Sequence, residues 1–129
     1  MASILIVEDD VRLSRMLTDV VKAGGHTILA AAATVVRAIE ELHAGRPDVA
    51  VLDLRLTGDE LSYPVARELK RLGVPFVFIT GFEQQEIDPD FAPSIVLRKP
   101  VRANDLLLVL QSLTHQPDGV QATTSAARY

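Results

Sequence analysis

Four short apolar runs in this chain stop abruptly on polar residues: Ile4-Leu5-Ile6-Val7 on Glu8-Asp9-Asp10, Val49-Ala50-Val51-Leu52 on Asp53, Val77-Phe78-Ile79 on Thr80, and Ile95-Val96-Leu97 on Arg98-Lys99-Pro100. Short, nearly uninterrupted runs of β-branched and aliphatic residues predict strands buried on both faces. Thr27 to Ala31 predicts a weaker strand, and Pro75 can open the one through Phe76 to Ile79, because a first strand residue need not donate to the ladder. Between the runs the period changes. Leu13, Met16, Leu17, Val20 and Val21 recur at helical spacing after Asp9-Asp10 and stop at Gly24-Gly25. Thr34 opens a second helix through Val35, Ala38, Ile39 and Leu42, closed by Gly45 and Pro47. Leu61, Val65, Leu69 and Leu72 line a third, with Pro64 in its first turn and Gly73 at its end. Leu106, Leu107, Val109, Leu110 and Leu113 line a last one.

The stretch from Glu83 to Pro93 breaks the alternation. It offers Ile87 and Phe91 as its large apolar residues and contains Pro89 and Pro93, which predicts a short or labile fourth helix. From His115 to Tyr129 the sequence is polar, small and aperiodic, so the expected organisation is one domain over 1–114 followed by a flexible tail over 115–129. Strands alternating with helices over crossovers of this length imply a doubly wound α/β fold with a five-stranded parallel sheet covered on both faces. Ligands of such sheets bind beyond the carboxyl ends of the strands. The polar residues lie at those ends.

Composition narrows the function classes. A hydrophobic fraction of 48% with 5% aromatics predicts an aliphatic core. A net charge of -4 supplies no basic surplus for nucleic acid or an anionic membrane surface. Cysteine is absent, which excludes disulfides, thiol catalysis and thiolate metal sites and suits a cytoplasmic protein. Met1 to Val7 does not read as a signal peptide, and no apolar run approaches the roughly 20 residues of a membrane span.

Each strand-end group has an ordinary explanation when taken alone. Asp9 or Asp10 can cap the first helix. Asp53 can start a turn, Thr80 is a β-branched strand residue, and Lys99 can be a solvated cation before a turn. Gathered at one sheet edge they have a joint chemistry. Glu8 and Asp9 are adjacent hard oxygen ligands, and beside Asp53 their like charges call for a cation, for which Mg²⁺ is the natural choice. Asp53 would be a carboxylate nucleophile forming an acyl phosphate, with Lys99 stabilising the transferring group.

Glu-Asp, Asp, Thr and Lys-Pro in this order at four strand ends resemble the receiver domain of bacterial two-component response regulators, over about residues 3 to 113. The resemblance implies the flavodoxin-like strand order 2-1-3-4-5. It makes Glu8 and Asp9 the acidic metal pair, Asp53 the phosphoacceptor, Thr80 the switch hydroxyl and Lys99 the phosphate-binding lysine. It adds the Arg55 main-chain carbonyl as a metal ligand and a cis bond before Pro100. Leu54 to Ala66 and Pro75 to Phe82 are similar to stand-alone alphaproteobacterial receivers with a Phe-Ala-Thr-Gly-Tyr type motif, with Ile79 and Phe82 in place of the alanine and tyrosine. Kinases of the HWE or a related histidine kinase class often serve that subgroup.

Two departures bear on readout. Val96 stands where most receivers carry an aromatic switch residue, so Thr80, Gly81 and Phe82, together with the weak fourth helix, are expected to carry the conformational signal. Thr57 stands where proline is common, and Arg55 lies two residues beyond the acceptor. The function implied is a single-domain response regulator, phosphorylated by a sensor histidine kinase and acting on a downstream protein or a histidine phosphotransfer protein, and not an enzyme. The alternatives are a pseudo-receiver that binds partners without phosphorylation and a Mg²⁺-dependent phosphatase-like enzyme. The second wants an acid two residues after its nucleophile, where Arg55 stands.

Overall fold

The structure is a computed structural model that describes residues 1–81, 87–91 and 94–114 and the backbone of 127–128. Five parallel strands form its centre: β1 (Ser3–Val7), β2 (Thr27–Ala32), β3 (Val49–Asp53), β4 (Phe76–Thr80) and β5 (Ile95–Arg98), ordered 2-1-3-4-5. Each apolar run of the sequence is a strand, and each acidic, hydroxyl or lysine terminus emerges at the same edge. Register fixes this: Val7 pairs with Leu52, Asp53 with Ile79, and Thr80 with Arg98.

Four helices cover the sheet among the described residues: α1 (Val11–Ala23), α2 (Val35–Ala44), α3 (Tyr63–Leu72) and α4 (Ala103–Thr114). Strand side chains alternate between two cores, as a period of two requires. Leu5, Val7, Ala50, Leu52, Phe78 and Val96 pack under α2 and α3. Ile4, Ile6, Val51, Val77, Ile79 and Leu97 pack under α1 and α4. The helix ends follow the local chemistry. Asp10 caps α1 by accepting from the Arg12 and Leu13 amides at 2.9 and 3.3 Å, Thr34 caps α2 through the Arg37 amide at 3.1 Å, and Gly73 ends α3 in the left-handed region at φ 73°.

The β4–β5 connection is described in part. In its described part the chain forms a single 3₁₀ turn, Pro89–Phe91, with Ile87 and Phe91 buried in the α2/α3 core. Residues 82–86 and 92–93, including Phe82, lie outside the described residues. So do 115–126 and 129 of the expected tail. Within that tail the sequence predicts no regular structure, yet Ala127–Arg128 forms a sixth strand, β6, antiparallel to β5, with Val96 opposite Ala127. No helix among the described residues is long and apolar enough to cross a membrane.

Candidate functional site

The strand ends converge as their register demands. The Glu8 amide donates to Ala32 O at 2.9 Å, which carries the β1–β2 pairing one residue past the strand and leaves Glu8 3% exposed. Its Oε2 accepts the Asp10 amide at 3.0 Å. Asp53, also 3% exposed, is the last residue of β3, and its Oδ2 accepts from Lys99 Nζ at 3.1 Å. The same ammonium lies 3.7 Å from Glu8 Oε1, an ion pair without a hydrogen bond. The Lys99 amide donates to Thr80 O at 2.8 Å, so Thr80 joins the site through its main chain, and the Lys99–Pro100 bond is cis.

Carboxylate oxygens of Glu8, Asp9 and Asp53 all lie within 4.8 Å of one another. One lysine is too little positive charge for them. Burial, reinforced by the Asp53 charge, raises the Glu8 pKa from 4.5 to about 7, against the opposing Asp10 amide and Lys99. Burial likewise raises Asp53, with Lys99 opposing. For Lys99, burial favours the neutral amine, but the hydrogen bond and charge of Asp53 and the charges of Glu8 and Asp9 prevail and raise its pKa. Burial also acts against the Asp9 carboxylate, yet hydrogen bonds, first among them that of the Thr57 hydroxyl, hold its pKa below the usual range.

Glu8 Oε1 is buried and accepts no hydrogen bond. Lys99 faces this oxygen at 3.7 Å without donating to it and is shared with Asp53, so a buried carboxylate oxygen is left short of a partner, which is costly. That orphaned atom, amid three hard oxygen donors, fits a divalent cation of the Mg²⁺ type. Glu8, Asp9 and Asp53 are the side chains that could hold it. The duality of the acidic triplet is thereby separated: Asp10 serves the helix, whereas Glu8 and Asp9 face the cluster.

Three other expected positions lie around the cluster. Arg55 turns its guanidinium to Asp59, with Nη1 and Oδ1 2.9 Å apart. Val96 is buried in the core under α2 and α3, and Gly81 is exposed beyond the end of β4. Two features were not legible as parts of a site. Thr57 Oγ1 donates to Asp9 Oδ2, signalled in sequence only by a hydroxyl where the resemblance favours proline. Tyr63 stacks on Phe91 with ring centroids 5.1 Å apart and planes 5° apart. Alongside Glu8 and Asp9 a groove of about 500 Å³ runs along α1, past Val11, Ser14, Arg15 and Thr18.

Residues 4–111 match the response regulator receiver domain family. Among solved structures, SdrG from Sphingomonas melonis Fr1 is 35% identical, with a TM-score of 0.78 over 88% of this chain and 96% of that one. The receiver domain of Erythrobacter litoralis PhyR has the same fold, with a TM-score of 0.81 at 24% identity, over 95% and 96% of the two chains. The signal receiver domain of a modulated diguanylate cyclase from Desulfovibrio desulfuricans G20 gives a TM-score of 0.75 at 25% identity, over 90% and 95%. No curated protein matches the chain.

Proposed function

Because the chain belongs to the response regulator receiver family, we propose that it accepts a phosphoryl group on Asp53 from the phosphohistidine of a sensor kinase and signals by altering the surface it offers another protein. The observation that carries this reading is a buried strand-end carboxylate that touches Lys99 and shares its pocket with the orphaned oxygen of Glu8. An Asp53 oxygen attacks phosphorus, the bond from phosphorus to the kinase imidazole breaks, and the imidazole nitrogen recovers its electron pair. Lys99, 3.1 Å from Asp53 Oδ2, is placed to follow the new phosphoryl oxygens with its charge. Glu8, Asp9 and Asp53 and, by the family resemblance, the Arg55 main-chain carbonyl would hold Mg²⁺, which when bound would offset the negative charge that two reacting anions bring together. The groove along α1 offers the kinase a surface beside the acceptor.

Readout follows from Thr80. Its carbonyl is tied to the Lys99 amide, so a hydroxyl drawn toward a phosphoryl oxygen moves the end of β4 and, through Gly81 and Phe82, the β4–β5 connection. With valine at position 96, no aromatic swings in response. The protein works as a non-enzymatic cytoplasmic module, served by a histidine kinase of the HWE or a related class, that passes its signal to a protein target or a histidine phosphotransfer protein.

The test is incubation with acetyl phosphate and Mg²⁺, read by intact mass. The wild type gains one phosphoryl group, and Asp53→Ala and EDTA-treated wild type gain none. An unmodified wild type, or modification that persists in Asp53→Ala, defeats the reading.

A further inference from the structure

We infer that Thr57 is a positioning residue of the cation site, whose hydroxyl holds Asp9 in the orientation that lets three carboxylates share one ion; the inference rests on reading the acidic cluster as a Mg²⁺ site. Glu8 is fixed by the Asp10 amide and Asp53 by Lys99. Asp9 stands on the connection into α1, half-buried, and is gripped by a hydroxyl 48 positions away in the chain.

The loop that presents this hydroxyl is closed on itself. The Ser62 amide donates to Leu54 O at 2.9 Å and the Leu56 amide to Glu60 O at 2.7 Å, and Arg55 and Leu61 form an isolated antiparallel bridge. Gly58 and Asp59, with φ of 75° and 61°, turn the chain at the tip. For glycine that conformation is free, whereas Asp59 adopts it while paired with Arg55. Glu60 Oε1 then accepts the Val35 amide at 3.3 Å, which fastens the loop to the start of α2. Thr57 is thus delivered to Asp9 by a braced hairpin.

A carboxylate has about four lone-pair sites, so one hydroxyl bond leaves room for a cation while removing rotational freedom that binding would otherwise have to freeze. Groups that orient a metal ligand in this way typically matter by about 10–100-fold in metal affinity. An ordinary loop staple would instead act on folding and leave the affinity alone.

The discriminating experiment is a MgCl₂ titration of the full chain, followed by the amide resonances of Glu8, Asp9 and Asp53, with no phosphodonor present. Thr57→Val, which keeps the shape and loses the donor, weakens Mg²⁺ binding by about tenfold or more. Thr57→Ser restores it, and the metal-free melting temperatures of all three proteins agree. Equal Mg²⁺ affinity in Thr57→Val, or a loss that Thr57→Ser does not recover, overturns the inference. A wild type that binds Mg²⁺ but takes up no phosphoryl group would defeat the phosphotransfer reading and leave the role of Thr57 standing; a wild type that binds no Mg²⁺ would defeat the role of Thr57.

Discussion

Glu8 sets the pH behaviour of the site. Its carboxyl titrates at about 7 in the folded protein against 4.5 for the free side chain, chiefly because burial penalises its charge. Between those values the folded state binds more protons than the unfolded one, so stability falls as pH rises through the window. Asp53, also raised, acts in the same sense. Asp9 is lowered from 3.8 and acts in the opposite sense only below that value, outside the window. In EDTA the melting temperature is therefore expected to drop between about pH 5 and about pH 8, Glu8→Gln to flatten the drop, and Mg²⁺ to recover most of the loss at the upper end. A metal-free wild type that gains stability across this range would contradict the assignment. Sequence left the acidic triplet ambiguous, since a cap and a cation ligand want the same residue types. The backbone of β1 resolves it by carrying Glu8 one residue further along the ladder and leaving Asp10 to the α1 amides.

In its described part the β4–β5 connection is held by side chains. Phe91, 4% exposed, is stacked on Tyr63 and meets Phe76 and Phe78 edge-on at 6.5 and 6.3 Å, with the cations of Arg67 and Lys70 over its ring at 5.8 and 5.4 Å. Tyr63 Oη accepts the Asp88 amide and Lys70 Nζ donates to Asp90 O, each at 2.9 Å. Phe91→Ala empties the centre of this cluster and is expected to cost about 3 kcal/mol, at the low end for buried phenylalanine because a surface turn can partly collapse. Tyr63→Phe keeps the stack, loses one acceptor and should cost about 1 kcal/mol. Urea unfolding measures both. If this segment reports phosphorylation, a beryllofluoride complex changes amide exchange at residues 87–91, whereas equal protection in both states would remove it from the signal path. The two prolines and the missing period of this stretch were legible as the absence of a strong helix. The docking partner was not, because Tyr63 and Phe91 are joined by the packing of α3 on the sheet and no local pattern links them.

At the scale of the whole molecule, the pattern of apolar runs conveys four buried strands, their common end and the layers above and below them, whereas it shows β2, largely exposed, only as a weak strand and leaves the strand order to the family resemblance. It could not convey β6, since Ala127–Arg128 lies in a polar, aperiodic segment and is recruited by the open backbone edge of β5 rather than by side-chain periodicity. Among the described residues the two cores draw on no position beyond α4. Their last contributors among the described residues are Leu110 and Leu113 of α4, and both lie within the first 114 residues. We propose on that basis that residues 1–114 fold alone. Of the described interactions, removing everything beyond Thr114 takes away a two-residue pairing, worth on the order of 1–2 kcal/mol at the usual net value of backbone hydrogen bonds, while Glu8, Asp9, Asp53 and Lys99 all stay in the retained chain. The shortened chain is expected to unfold in a single cooperative transition with a small loss of midpoint, and to take up a phosphoryl group from acetyl phosphate as the full chain does. Urea melts and intact mass check the two halves of this expectation. A non-cooperative melt would place the last fifteen residues inside the folding unit, and a cooperative melt with lost phosphorylation would tie the β5 edge to the positioning of Lys99.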